Sequence, residues 1–122
     1  MKLSGATWVA IDFLTELGRL NRRGTIIEVS KTLGISSKYA EQVLAELRHA
    51  GIVRSFRGCN GGYALTRPAK DITVTDIIRA MKGDVFRTQE DSTPKAEAYN
   101  RIADGVKRVT DKLTLQTLIV RT

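Results

Sequence analysis

The chain has 122 residues, 42% of them hydrophobic, with 20 lysines and arginines against 13 aspartates and glutamates, a formal charge of +7 and a pI of about 9.9. Such a length suits one compact domain with an appendage. The apolar content excludes a disordered chain, and no run approaches the ~18 apolar residues of a membrane span. A basic balance favours a polyanionic partner, either nucleic acid or an anionic membrane surface.

Residues 5–20 read as a first helix. Trp8, Ile11 and Leu14 make one apolar stripe, and Val9, Phe13, Leu17 and Leu20 an adjoining one, so a wide buried face is expected. Asp12 and Glu16 lie one turn apart on the remaining face. No other catalytic group accompanies them, and a solvated helix face is the favoured reading over acid-base chemistry. A basic connection carrying Arg19, Arg22 and Arg23 leads to Thr25-Ile-Ile-Glu28, a capping box that opens a second helix running to Leu33. In it Ile26, Val29 and Leu33 should face inward. Gly34 ends it, Ile35 packs into the corner, and Ser36 caps a third helix over 37–50. The third helix should turn Tyr39, Ala40, Val43, Leu44 and Leu47 inward and leave Ser37, Lys38, Glu41, Gln42 and Ala45 on its outer face. Two short helices joined by a glycine-containing turn, the second with a polar N-terminal face, form a helix-turn-helix pattern.

Ile52 to Phe56 and Tyr63 to Thr66 read as two short strands, with Asn60-Gly61-Gly62 supplying the turn and Arg54 and Arg57 supplying charge. A basic hairpin directly after a helix-turn-helix is a winged helix, and such a wing can reach a phosphate backbone or a minor groove. Thr73-Val-Thr-Asp76 opens a fourth helix with Val74, Ile77, Ile78 and Met81 inward and Gly83 at its end. Residues 84–93 are polar and read as a linker loop. Thr93-Pro94 starts a fifth helix whose apolar residues, Tyr99, Ile102, Val106, Val109 and Leu113, follow the three-four spacing of a coiled-coil seam. A helix pair across a dimer is the natural use of that stripe. The tail from Leu115 to Val120 is apolar enough to dock, with the first helix a candidate surface. The expected architecture is mainly α with a small β-hairpin: a winged helix-turn-helix over 1–83, a linker over 84–93, and a long C-terminal dimerisation helix and tail over 94–122.

These residues resemble the Rrf2 family of winged-helix transcription regulators. The resemblance rests on Met-Lys-Leu-Ser at the start, Gly34-Ile-Ser36, Tyr39-Ala-Glu-Gln42, Ala50-Gly-Ile-Val-Arg54-Ser, and above all Arg57-Gly-x-x-Gly-Gly-Tyr63-x-Leu65. Asp71-Ile-Thr73-Val followed by Ile77-Ile-Arg-Ala80 extends it over nearly the whole chain. The resemblance implies a cytoplasmic homodimer that binds double-stranded DNA at an inverted-repeat operator, as a repressor, with the fifth helix as the dimer element. It also exposes departures. Family members that hold an iron-sulfur cluster carry three cysteines around the loop before the fifth helix, whereas residues 83–103 here contain none. An aspartate ligand of nitric-oxide-sensing members is replaced by Trp8, and Cys59-Asn60 stands in the wing where Pro-Gly is usual. No cofactor and no metal site is therefore expected.

The roles follow from chemistry. Ser36, Ser37 and Lys38 can contact phosphate at the helix N-terminus. Glu41 can accept from cytosine N4 and Gln42 can pair with adenine. Arg57, with Gly58 beside it, should probe the minor groove, where narrow A·T tracts favour a guanidinium. Lys2, Ser4 and Arg54 would add phosphate contacts. For Tyr39 an inward ring is favoured, leaving only its hydroxyl for phosphate. Cys59, the only cysteine, excludes an intrachain disulfide and fits a reducing compartment. Beside Arg57 it could act as a redox site, but a tolerated small residue is the favoured reading. His49, the only histidine, suits the carbonyl end of the third helix. Met1 to Ser4 carry no signal-peptide pattern, and no secretion is expected. A second class of function stays open: a winged-helix module that binds a partner enzyme or regulator, with any effector unidentified. An enzyme is excluded by the lack of a nucleophile-base pair, metal spacing or a phosphate-cradling loop at a helix start.

Overall fold

Helix α1 (Gly5–Leu20) is the post around which the other elements pack. The computed structural model describes residues 3–58, 61–81, 86 and 88–121. Lys2, Cys59, Asn60 and Gly83, named above, lie outside the described residues. In chain order α1 is followed by α2 (Ile26–Leu33), α3 (Ser37–His49), β1 (Val53–Phe56), β2 (Gly62–Leu65), a 3-10 turn (Ala69–Asp71), α4 (Val74–Ala80), α5 (Pro94–Lys112) and α6 (Leu115–Val120). The fold is a winged helix with C-terminal helical additions, as the patterning implies.

The start of each helix is written locally. The Ser4 hydroxyl accepts from the Thr7 amide at 3.2 Å. In α2 the Thr25 hydroxyl accepts from the Glu28 amide, and the Glu28 carboxylate accepts from the Thr25 amide. Ser36 and Thr93 cap α3 and α5. Gly34 closes α2 at φ 70°, a left-handed conformation that suits glycine.

The core joins Phe13, Leu14 and Leu17 of α1 to Val29 of α2, Leu44 and Leu47 of α3, Val53 of β1, Ile77 of α4 and Leu115 of α6. Residues Val74, Ile77, Ile78 and Met81 are all buried, as the fourth helix's pattern requires. Helix α6 lies along α1, where Gly18 admits it: a Cβ at Gly18 would stand 2.5 Å from Ile119 Cδ1. The strands are antiparallel, pairing Val53 with Leu65, Arg54 with Ala64, Ser55 with Tyr63 and Phe56 with Gly62.

Two expectations are corrected. Trp8 is 57% exposed and does not extend the buried stripe of α1. The face that α1 buries runs through Thr7, Ala10, Phe13, Leu14 and Leu17, and Trp8, about 100° round the helix from Thr7, lies beyond its edge. Tyr39 is 36% exposed, so its ring does not join the core. Ala40 and Val43 occupy the inward positions of that turn, and Tyr39 sits at their edge.

Helix α5 buries small residues against its own chain, Ala96, Ala103 and Thr110, seven apart. Its bulky residues point elsewhere: Ile102 is 57% and Val109 60% exposed. Leu113 ends the helix as its cap and packs beside Val74 and Ile78. A buried hydroxyl pair, Thr75 with Thr110 at 2.7 Å, ties α5 to α4.

Asp76 completes a second capping box. It accepts from the Thr73 amide at 3.0 Å and from Arg67 at 2.9 Å. Burial alone would push its carboxyl up, but the Thr73 amide and hydroxyl together with Arg67 outweigh burial and hold it below the usual carboxylate range. A carboxylate with a lowered native pKa stabilises the fold above its unfolded pKa and loses that contribution as pH falls through the native value. Asp76→Asn should therefore lower the urea midpoint at neutral pH, and the gap from the parent protein should close below about pH 4. A gap that stays constant from pH 7 to pH 3 would contradict this account.

Candidate nucleic-acid interface

The helix-turn-helix is set by backbone bonds in its turn. The Gly34 and Ile35 amides both donate to the Ser30 carbonyl, and the Ser36 hydroxyl accepts from the Tyr39 amide at 3.1 Å. Ala40, Val43, Leu44 and Leu47 anchor α3, so Ser37, Lys38, Glu41 and Gln42 stand exposed on its outer face.

The wing is fixed to this unit by an isolated bridge of one residue pair. The Gly24 amide donates to the Tyr63 carbonyl at 2.9 Å, and the Tyr63 amide donates to the Gly24 carbonyl at 2.8 Å. Gly24 thus extends the two-stranded sheet by one bridge and holds β2 against the start of α2. At the tip, Gly58 has φ 92° and its carbonyl accepts from the Gly61 amide at 2.9 Å. Arg57 and Gly58 are exposed there.

These two units border one groove of about 460 Å³. Ser37 and Glu41 of α3 line one side, and Gly58, Gly61 and Gly62 of the wing line the other. Ser36, Lys38, Tyr39 and Gln42 are exposed on the same turns of α3, and Arg57 adjoins Gly58. Neither Lys38 nor Arg57 forms an ion pair among the described residues. Their charge is available to a polyanion.

Two other candidates sit apart from this groove. Ser4 is spent on capping α1. Arg54 does not line the groove; its guanidinium lies 5.0 Å from the centroid of the Phe56 ring. Val53 and Tyr63 face the core, so Arg54 and Phe56 face away from it, and Phe56 at the end of the strand borders the groove as well. Sequence reasoning passed over Ile27, which is 73% exposed and lines the groove with Ser37 and Glu41. Its signal was present, because Ile26 and Ile27 are adjacent at a helix start and only one of the two can face inward.

A polar-faced helix and a basic wing tip on one groove define a winged helix-turn-helix DNA-binding regulator. The comparisons agree. The Rrf2 family model, described as an iron-dependent transcriptional regulator, matches residues 3–121. The transcriptional regulator CymR of Bacillus subtilis is 37% identical over 97% of this chain and 89% of its own. IscR of Cereibacter sphaeroides is 40% identical over 70% of this chain and 57% of its own. The solved structure of B. subtilis CymR, called there the global cysteine regulator, superposes with a TM-score of 0.90 at 35% identity, covering 100% of this chain and 98% of that one. T. potens IscR gives 0.84 at 29% identity, covering 98% and 86%. The chain belongs to the Rrf2 family, and it is a transcription regulator, not an enzyme.

The cluster chemistry associated with part of this family finds no fitting donors. The chain has a single cysteine and a single histidine, and among the described residues no three of His, Cys, Asp and Glu come together. No helix among them is long and apolar enough to cross a membrane.

Gly62 tests the wing's attachment. Its φ is 121°, and a Cβ there would stand 2.7 Å from the Gly24 carbonyl oxygen, a backbone atom that cannot swing away. Gly62→Ala should cost at least about 1–3 kcal/mol in urea unfolding. A midpoint equal to that of the parent protein would show that the bridge is dispensable.

Proposed function

We propose that the protein is a homodimeric repressor that occupies an inverted-repeat operator in the cytoplasm. In this reading residues 1–83 bind DNA, residues 84–93 link, and residues 94–122 supply the dimer element. The observation that carries the reading is the convergence of the α3 outer face and the wing tip on one groove. The N-terminal turn of α3 enters the major groove, with Ser36, Ser37 and Lys38 at phosphates and the helix N-terminus favouring the anion. Glu41 and Gln42 read base edges. The exposed ring of Tyr39 brings its hydroxyl to the backbone. Arg57 enters the minor groove, with Gly58 letting the chain approach closely. Lys2 and Arg54 are the flanking phosphate contacts, whereas the Ser4 hydroxyl stays with the α1 cap.

Dimerisation is supported by the inverted arrangement of α5. Small residues face its own chain, whereas Ile102 and Val109 face out. An apolar row at three-four spacing left in solvent is costly unless a second helix covers it. Half-buried Tyr99 and Val106 continue the row, whereas Leu113, placed in the seam by spacing alone, turns in to pack beside Val74 and Ile78 and does not join it.

Arg57→Ala should weaken operator binding by about 1–3 kcal/mol in a gel-shift titration, and unchanged affinity would sink the minor-groove assignment. The parent protein should lose orders of magnitude in affinity between roughly 50 and 200 mM salt if the dimer touches ~6–10 phosphates. Val109→Glu should leave the fold intact, because the residue is exposed, yet shift sedimentation from dimer to monomer and abolish operator binding at the same protein concentration. A parent protein that sediments as a monomer at micromolar concentration would overturn the dimer.

A further inference from the structure

One large apolar side chain stands in the groove that the α3 face and the wing tip share. Ile27, on the first turn of α2, is 73% exposed and lines that groove together with residues of both surfaces. Its neighbour Ile26 packs against the core, which leaves Ile27 to face out. An exposed isoleucine by itself is ordinary. The surroundings of this one are not. Phe56, Gly58, Gly61 and Gly62 line the same groove, and Glu41 is the one charged residue among the described residues that do so. The nearby cations stand outside the lining: Lys38 and Arg57 are exposed on the neighbouring turns and do not border it.

Such a lining sorts the parts of a DNA strand. A phosphate is repelled by Glu41 and meets no cation among the described lining residues. A deoxyribose is uncharged, and its C2′ carries only hydrogens, where a ribose carries a hydroxyl. Position agrees with chemistry. A helix in a major groove and a wing tip in the adjoining minor groove straddle one sugar-phosphate strand, the ridge that separates the two. Ile27 borders the gap between helix and wing, where that ridge must pass. The phosphates on either side of the seated sugar are left to Lys38 and the N-terminus of α3.

We propose that Ile27 packs on a deoxyribose of the strand between the two grooves and makes the surface reject a 2′-hydroxyl at that nucleotide. The placement of the strand rests on the functional reading above. A ribose seated there buries its hydroxyl against a branched alkyl side chain and loses its water partners without replacement. Ile27 is thus a specificity-determining residue for the sugar, while Glu41 and Gln42 read the bases.

The probe is a duplex selected by the parent protein from random-sequence DNA, with single ribonucleotides walked along one half-site. In gel-shift titrations one or two positions should lose roughly tenfold in affinity, the scale of one stranded hydroxyl. Ile27→Thr offers a hydroxyl at the same place, so the loss at those positions should shrink several-fold while other positions keep theirs. Changes in sugar pucker are common to both proteins and drop out of that comparison. Ile27→Ala should weaken binding to the all-deoxy duplex and keep the urea midpoint of the parent protein, because the side chain is exposed. Equal ribonucleotide losses in the parent protein and Ile27→Thr at every position would overturn the sugar contact. So would coupling of Ile27 to deoxyuridine in place of thymine, which would assign the side chain to a base methyl. If Lys38→Ala and Arg57→Ala also bind as tightly as the parent protein, the placement of the strand fails. If they weaken binding while Ile27→Thr shows no coupling, the sugar contact alone fails.

Discussion

The pair of backbone hydrogen bonds between Gly24 and Tyr63 holds the DNA-reading surface together. A two-stranded hairpin is marginal by itself in water. Here it gains a third partner of one residue, and that residue directly precedes the cap of α2. The bridge therefore fixes the wing relative to the helix-turn-helix, not merely to the core. It also fixes register. With Tyr63 committed to Gly24 and to the core, Arg54 and Phe56 have one face left to occupy. A slip of one residue would exchange the two faces and bury a guanidinium. The glycines at 24 and 62 follow from the same constraint, since each stands where a Cβ would meet neighbouring atoms at 2.7 Å.

A second bridge performs the corresponding task at the other end. Thr73 pairs with Thr114: the Val74 amide donates to the Leu113 carbonyl at 2.8 Å, and the Leu115 amide donates to the Ile72 carbonyl at 3.0 Å. The chain thus returns to the core after α5, and Leu115 is fully buried there. This return anchors the C-terminal end of α5, where Thr110 and Asp111 also bond Thr75 of α4. A long helix held firmly at one end can present its outward row to a partner while its near end stays tied to the DNA-binding body. In the proposed dimer, the spacing of the two α3 helices would then be set by the same few contacts.

Much of this was legible from local chemistry. The capping boxes at Thr25 and Thr73, the serine cap at Ser36 and the left-handed Gly34 are signals that act within four residues, and the helices begin where they indicate. The inward residues of α2 and α4 follow because one helical face must be apolar. Expectation and structure part where two rules compete. Trp8 falls on the spacing of Ile11 and Leu14, yet Thr7, Ala10 and Phe13 take the core and leave the ring 57% exposed. Tyr39 stands with Ala40 at the start of the inward stripe, yet the small alanine takes the buried position. The Gly24 bridge is not legible in the sequence, because it joins a loop to a strand far along the chain and no periodicity reports such a contact.

The hairpin is thus asked to satisfy three environments with eight paired residues. Its inner face completes the core through Val53, Tyr63 and Leu65. Its tip exposes Arg57 next to Gly58, which borders the groove shared with α3. Its outer face gathers Arg54 and Phe56 beside Arg23. Because all three surfaces hang on one ladder of four residue pairs, tied at Tyr63 to Gly24, a change of register at any one of them changes the other two.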